Sequence, residues 1–416
     1  MLCIKQNQSS SPLAIWSVAI TFVLFQFFLQ LSSGVIISAL SQELALTAVC
    51  TGVLSSAFYY VYTALQIPVG LLFDSFNARY LISFNALLCA LGCYIFAHSH
   101  DFMLLMLSRL MIGAGASFAF IGISHILRSY FPLSTFGFMI GLSETLAFLI
   151  TVLGMFLMGV WISGENWREL MNHAGLVGLM IALCCFCYIP NHTPVQTSAL
   201  KPQLKLIVSN PRNWANGLFG GCGFTLMTTF GALWAIPFIQ IKMQCSLQTS
   251  SMVDAALFLG AAISCPLFGI LAQRVRKRNT LLRLSYFCTF SLLCIILYVP
   301  ISNLYLLALL LLFMGISCGA YMLAYSISNE LAPKNSLSTC TGFTNTLAVI
   351  CAPILQPFIG FLLEYFSKHT HVHSLLDYQK SLSILPLSLL IGIWIIQYLP
   401  EKRQETRFAA NDPVLI

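Results

Sequence analysis

Two ionisable side chains stand deep inside long apolar runs: Arg109, in Leu107-Ser108-Arg109-Leu110-Met111, and Glu144, in Leu142-Ser143-Glu144-Thr145-Leu146. If those runs are helices, Arg109 is on the order of 12 Å and Glu144 roughly 15 Å from the nearer helix start. Charge at that depth is costly in lipid unless it faces other protein or a watery cavity. Burial works against a charged carboxyl, whereas a neighbouring guanidinium works for it. A carboxyl held between those two influences is suited to taking up and releasing protons. A plain structural role, as a hydrogen-bonded clamp between helices, fits Glu144 as well.

Other polar groups recur at helical spacing inside the apolar runs. Gln26, Gln30 and Ser33 share one face, and so do Tyr59, Tyr62 and Gln66. Further on come Thr225, Thr228, Thr229 and Trp234, then Tyr321, Tyr325 and Ser328, then Asn345 and Gln356. A carboxamide facing lipid would leave its donors unpaired, so these faces are expected to meet other helices or a cavity. Glue between helices and contact with a solute both satisfy that requirement. Asp254 lies near one end of its run and reads as an interfacial charge.

The elements that must position these groups follow from composition. Of 416 residues, 58% are hydrophobic and 8% charged, against about 25% charged in soluble chains, so the chain belongs in lipid. Twelve spans are predicted. Six lie before residue 190: 13–40, 47–73, 79–97, one opening after Asp101, 134–162 and 170–189. Six follow, over 213–241, 247–273, 280–299, 303–329, 338–366 and 379–399. Between the sets runs a polar stretch with Pro190, Pro194, Pro202 and Pro211. The predicted domains are therefore a six-helix bundle over 1–190, a linker over 191–212, a second bundle over 213–400 and a tail over 401–416.

Charge placement gives the orientation. With both termini cytoplasmic, fourteen of the twenty Lys and Arg residues fall on the cytoplasmic side and only Arg168, Lys242, Lys368 and Lys380 on the other, while Arg109 and Arg283 lie within spans. That asymmetry is the positive-inside pattern, and it accounts for the formal +7 charge without any nucleic-acid partner. Lys5 precedes an apolar run longer than a signal-peptide core, so no cleaved leader is expected. The 15 cysteines lie almost entirely within apolar runs and read as small buried side chains, not a disulfide framework. His98-Ser99-His100-Asp101 and His369-Thr370-His371-Val372-His373 are read as connecting loops; no metal and no cofactor is expected. No Ser/His/Asp constellation marks an enzyme.

One hinge carries a family resemblance. Gly70-Leu71-Leu72-Phe73-Asp74-Ser75-Phe76-Asn77-Ala78-Arg79 is too short to hold a domain and so turns two spans back as an antiparallel pair. It resembles the loop between helices 2 and 3 of the major facilitator superfamily (MFS), whose pattern is Gly-x-Leu-x-Asp-Arg-x-Gly-Arg-[Lys/Arg]. Gly70, Leu72, Asp74 and the basic Arg79 match; Ser75 replaces the first Arg and Asn77 the second Gly. Arg109 followed by Gly113 and Gly115 is similar to the same family's helix 4. Gly269 and Leu271 repeat the hinge in the second half, with Gln273 in place of the Asp.

The resemblance implies an all-α membrane protein with 12 transmembrane helices in two six-helix pseudo-repeats, rocking about a midplane site. Carried over residue by residue, it implies a cavity lined by Gln26, Gln30, Tyr59, Arg109, Glu144, Trp234, Tyr321, Tyr325 and Asn345. Arg109 and Glu144 are expected to face each other across it. Glu144 is the expected proton-coupling group, and Gly70, Asp74 and Arg79 the gating loop. A single cation and carboxylate among aromatics and amides suit a small zwitterion.

A narrower resemblance rests on Phe58 to Gly70, Trp234 to Pro237 and Leu355-Gln356-Pro357. These runs look like a branch of phagosomal amino-acid transporters of intracellular proteobacteria and, more distantly, lysosomal dipeptide carriers. Related sequences often carry Arg where Gln30 stands. The expected function is proton-coupled transport of an amino acid or short peptide by a monomer in a bacterial inner membrane. Export of a drug or siderophore, and a non-transporting receptor or scaffold, are the alternatives.

Overall fold

The computed structural model describes residues 11–31, 33–161, 167–191, 200–275, 277–333, 336–367 and 373–401. Among them, twelve helices are long and apolar enough to cross a membrane, and there is no strand. They are α1 (Pro12–Ser41), α2 (Ala48–Phe73), α3 (Ala78–His98), α4 (Phe102–Tyr130), α5 (Phe138–Met158) and α6 (Trp167–Tyr188). The second set is α7 (Pro211–Met243), α8 (Leu247–Ala272), α9 (Arg278–Tyr298), α10 (Leu304–Leu331), α11 (Leu337–Phe366) and α12 (Leu375–Tyr398). A short helix, Leu200–Ser209, lies in the linker.

Side chains at the loops start several of these helices by accepting otherwise unpaired backbone N–H groups. Thr47 accepts from Cys50 N at 3.2 Å, Asp101 from Leu104 N at 3.1 Å, and Asn303 from Tyr305 N at 2.8 Å. Ser374 and Asp377 form a reciprocal capping box. That polar box places the start of α12 at Leu375, four residues before the position that hydropathy alone suggests.

Several helices of the second set are irregular within their spans. Leu226–Trp234 of α7 is π-helical, Gly319–Met322 of α10 is a 3-10 turn, and α11 is interrupted at Ile350. Wider and tighter turns rotate side chains off the regular helical face, and such segments gather at functional sites. Here they carry Trp234 and Tyr321.

An even number of spans returns both described ends to one face, termed the terminal face. Away from it, described helices of the first six pack directly against helices of the last six. A Cβ at Gly34 (α1) would run into the Ala232 carbonyl of α7, and one at Gly360 (α11) into the Ala48 carbonyl of α2. Glu364 of α11 accepts the Val49 N–H of α2 at 2.8 Å. On the terminal face α2 still follows α11, but Gly141 (α5) and Gly269 (α8) have open space at their Cβ positions.

Large apolar side chains face outward around the bundle, among them Phe84, Met180, Phe287 and Trp394 on α3, α6, α9 and α12. Such a surface fits lipid and not water. At the face away from the termini, one cation in each half caps the end of its third helix. Arg168 donates to the Ala97 and Ser99 carbonyls at 3.1 and 2.6 Å, and Lys242 to the Ile296 and Val299 carbonyls at 2.6 and 2.8 Å. Both take up carbonyls that the helix itself leaves free.

Candidate functional site

The two halves enclose a central cavity lined by Phe27 and Gln30 (α1), Tyr62 (α2), Phe120 (α4), Glu144 (α5), Phe224 (α7), Tyr321, Met322 and Tyr325 (α10) and Asn345 (α11). Its volume is about 10 Å³, room for roughly one water molecule. Toward the terminal face lies a vestibule of about 220 Å³, reaching Arg128, Asn329 and Glu330. Phe120, Met322 and Tyr325 line both spaces. These three side chains are therefore the partition between cavity and vestibule.

Glu144 is the one carboxyl of the cavity lining. The residue is 4% exposed, and no hydrogen bond or ion pair to its carboxyl occurs among the described residues. Around it stand three phenols: Tyr62, Tyr321 and Tyr325. An ionised carboxylate in this setting lacks compensation, so the site favours a proton or a cationic group beside it.

Asn345 organises the seam below the cavity. Its amide donates to Gln66 Oε1 at 2.9 Å and to the Tyr62 hydroxyl at 3.4 Å, while the Tyr325 hydroxyl donates to Asn345 Oδ1 at 2.6 Å. Two α2 side chains are thus joined to α10 through α11. A second node is Gln356, which accepts from Ser56 Oγ at 3.1 Å and donates to the Thr228 carbonyl at 2.7 Å. It ties the π-helical stretch of α7 to α2.

Of the residues predicted to line the cavity, Gln30, Glu144, Tyr321, Tyr325 and Asn345 do so. Gln26 sits one turn behind and donates to Gln30 Oε1. Tyr59 is fully buried, stacked edge-on against Phe58 at 5.1 Å, and is not part of the lining. Trp234 turns away as well: its indole donates to the Gln356 carbonyl at 3.2 Å.

Arg109 is the main departure. It points into the bundle, as its depth requires, but toward backbone and not toward Glu144. Nη1 donates to the Leu29 carbonyl at 3.3 Å and Nη2 to the Ser55 carbonyl at 3.2 Å, with the guanidinium 5.3 Å from the Phe58 ring centroid. A planar fork with several donors can join α1 and α2 in this way. Nearby, α4 lies so close to α2 that a Cβ at Gly113 would strike the Phe58 carbonyl. The expected face-to-face pair across the cavity is absent because neighbouring carbonyls already hold the cation.

Asp254 also differs from its reading as an interfacial charge. It is completely buried, because α5, α7 and α10 pack around α8 at that level.

At the hinge, Gly70 approaches the Ser338 carbonyl of α11, with 3.3 Å between that oxygen and the place a Cβ would take. Arg79 lies over the Phe186 ring at 4.3 Å. The side chain of Asp74 lies outside the described residues, as do His369 and His371. The side-chain contact between halves seen near this face comes instead from Arg128, which donates to Ser338 Oγ at 2.9 Å and Thr341 Oγ1 at 3.1 Å.

Sequence reasoning did not pick out Phe27, Phe120, Phe224 or Met322 as lining, and apolar residues in an apolar run give no signal. Tyr62 did give one, through the face it shares with Gln66.

The sequence profile of the Major Facilitator Superfamily matches residues 18–370. The chain belongs to that superfamily. It is 23% identical over 380 residues to the uncharacterized transporter YybO of Bacillus subtilis (strain 168), covering 84% of this chain and 86% of that one. It is 22% identical over 369 residues to the probable galactarate/D-glucarate transporter GarP of Escherichia coli (strain K12), covering 78% and 82%. Among solved structures, a bacterial homolog of the human lysosomal transporter Spinster, inward-facing and occupied, superposes with TM-score 0.74 at 15% identity, covering 94% and 97%. The nucleoside transporter NupG gives TM-score 0.70 at 12% identity, covering 92% and 99%.

This member of the superfamily is thus a multi-pass membrane transporter with twelve spans. Among the described residues the midplane cavity is closed, the vestibule lies on the terminal face, and the other face is sealed by the close packing of α1 and α2 against α7 and α11.

Proposed function

We propose that this carrier moves a small solute with an amine end, an amino acid or short peptide, across a bacterial inner membrane by alternating access, coupled to protons through Glu144. The observation that carries the proposal is the cavity lining: one carboxyl, three phenols, two carboxamides, and no cation. An ammonium group meets both a carboxylate and aromatic faces there. With no cation in that lining, the solute's own carboxylate meets only neutral partners, a setting that suits one negative charge and not two.

Galactarate and D-glucarate, named for several relatives, carry two carboxylates and no amine. A dianion at this depth calls for a guanidinium or ammonium in the lining, and Arg109 is held by the Leu29 and Ser55 carbonyls instead. The coupling logic follows from charge. Glu144 is neutralised either by a proton or by the solute's ammonium, so the loaded carrier reorients without a bare carboxylate in the closed state.

The test is a panel of labelled amino acids, dipeptides, galactarate and glucarate, offered to the purified protein in proteoliposomes, with thermal shift alongside. Members with an amine are expected to be taken up and to raise the melting temperature. Uptake of the aldarates with no response to any amine would overturn the substrate class.

A further inference from the structure

We propose that Asp254 is a second proton seat of the carrier, in series with Glu144 on the sealed side of the cavity. This rests on the proton-coupled reading of Glu144 and deepens it. A single carboxyl that accepts either a proton or an ammonium makes the two compete, which yields exchange. Co-transport of both requires a second carboxyl.

Asp254 has the properties of that carboxyl. Its side chain is 0% exposed, and both carboxyl oxygens are buried without a hydrogen-bond partner. It lies on the order of 10 Å into α8 from Leu247, so the interface does not explain it. The hydroxyls one turn away do not serve it: Ser250 donates to the Leu247 carbonyl and Ser251 to the Gln248 carbonyl, each at 2.9 Å.

Among the described residues of the elements packed against α8, nothing charged compensates it. The part of α5 between Thr145 and Met158 has no ionisable group. In α10 the same level offers only Tyr305, which is 87% exposed. In α7 it offers only Lys242, whose ammonium donates to the Ile296 and Val299 carbonyls. A carboxylate with neither donor nor counter-charge in a membrane interior takes a cation from solution, and the smallest is the proton.

Its position relative to Glu144 is set by the antiparallel packing of α5 on α8. Thr145 donates to the Ala262 carbonyl at 3.3 Å, and the Phe148 and Phe258 rings lie 6.4 Å apart. Asp254 is eight residues from Ala262 toward the sealed face, about 12 Å along the helix. Between the two carboxyls stand Leu257 and Phe258, both fully buried and set against Gly231 in the π-helical stretch of α7. A shift of that stretch moves the apolar plug.

In the cycle, a proton from the sealed face adds to the Asp254 carboxylate. Once the solute's ammonium has left Glu144, the proton passes to the Glu144 carboxylate and leaves through the vestibule.

Two measurements on the full chain test this. The first is infrared difference spectroscopy of the solute-free protein in lipid nanodiscs. Wild type is expected to show a protonated-carboxyl C=O band at neutral pH that Asp254→Asn lacks, Asp254→Glu shifts and Glu144→Gln leaves in place. A spectrum unchanged by Asp254→Asn overturns the proposal. The second uses whichever labelled amino acid or dipeptide wild type accumulates under an imposed pH gradient. Asp254→Asn is expected to keep exchange and lose accumulation, and Asp254→Glu to regain it. Accumulation by Asp254→Asn at the wild-type level overturns the proposal. If wild type accumulates no panel member, the reading of Glu144 fails, while the infrared result still decides Asp254.

Discussion

The Asn345 carboxamide donates to the Gln66 side-chain oxygen at 2.9 Å, which joins the two six-helix halves just below the closed cavity. Breaking this contact strands buried polar groups on both sides of the seam. For Asn345→Ala we expect a lower melting temperature, from a loss of about 1–3 kcal/mol for the unsatisfied partners. Apparent solute affinity should weaken as well, because Asn345 lines the site. Thermal melts with and without solute check both.

A second contact between the halves is Arg128 with Ser338 and Thr341. Replacing Arg128 by Ala and, separately, both hydroxyl residues by Ala or Val should change stability or transport rate non-additively. The expected coupling is about 1 kcal/mol, read from a double-mutant cycle on melting temperature or initial rate. Strict additivity would mean that the Arg128 contact does not help to hold the terminal face.

Arg109 binds two carbonyls on two helices, a task for a fork and not a point charge. Arg109→Lys is expected to lower folded yield and melting temperature while leaving the order of preference among panel solutes unchanged. A switch in solute preference would place Arg109 in the binding site after all.

Outside the spans, the Arg168 hydrogen bond holds the Glu43 carboxyl below its ordinary range; burial opposes this and Trp167 assists it. Because the folded value is depressed, the pair stabilises the protein above the ordinary glutamate range. That contribution fades as pH falls through the folded value. Glu43 is 39% exposed, so solvent screening keeps the effect under about 1 kcal/mol. Melts of wild type and Glu43→Gln should converge at acid pH and separate slightly near neutrality.

Sequence made the framework legible because a bilayer demands long apolar runs, and twelve such runs are conspicuous at 8% charged residues. Glu144 was legible for a related reason, since a carboxyl at mid-span must face protein or a cavity. The same argument brought Arg109 inward but was silent on its acceptors: the carbonyls of Leu29 and Ser55 belong to other helices, and backbone atoms carry no sequence signal. Distance to a span end marks Asp254 as interfacial, a measure that ignores how α5, α7 and α10 cover α8. The π-helical turn at Leu226–Trp234 has no mark in residue type, and with it went the direction of Trp234.

Gradient-driven uptake by Glu144→Gln tests the account most directly. In proteoliposomes with an imposed pH gradient, the amide should bind an amine-bearing solute about 10-fold or more weakly, since a partially desolvated charge pair of over 1.4 kcal/mol is lost, and should accumulate none of it. Accumulation by Glu144→Gln at the wild-type level, against the gradient and with unchanged affinity, would contradict the account.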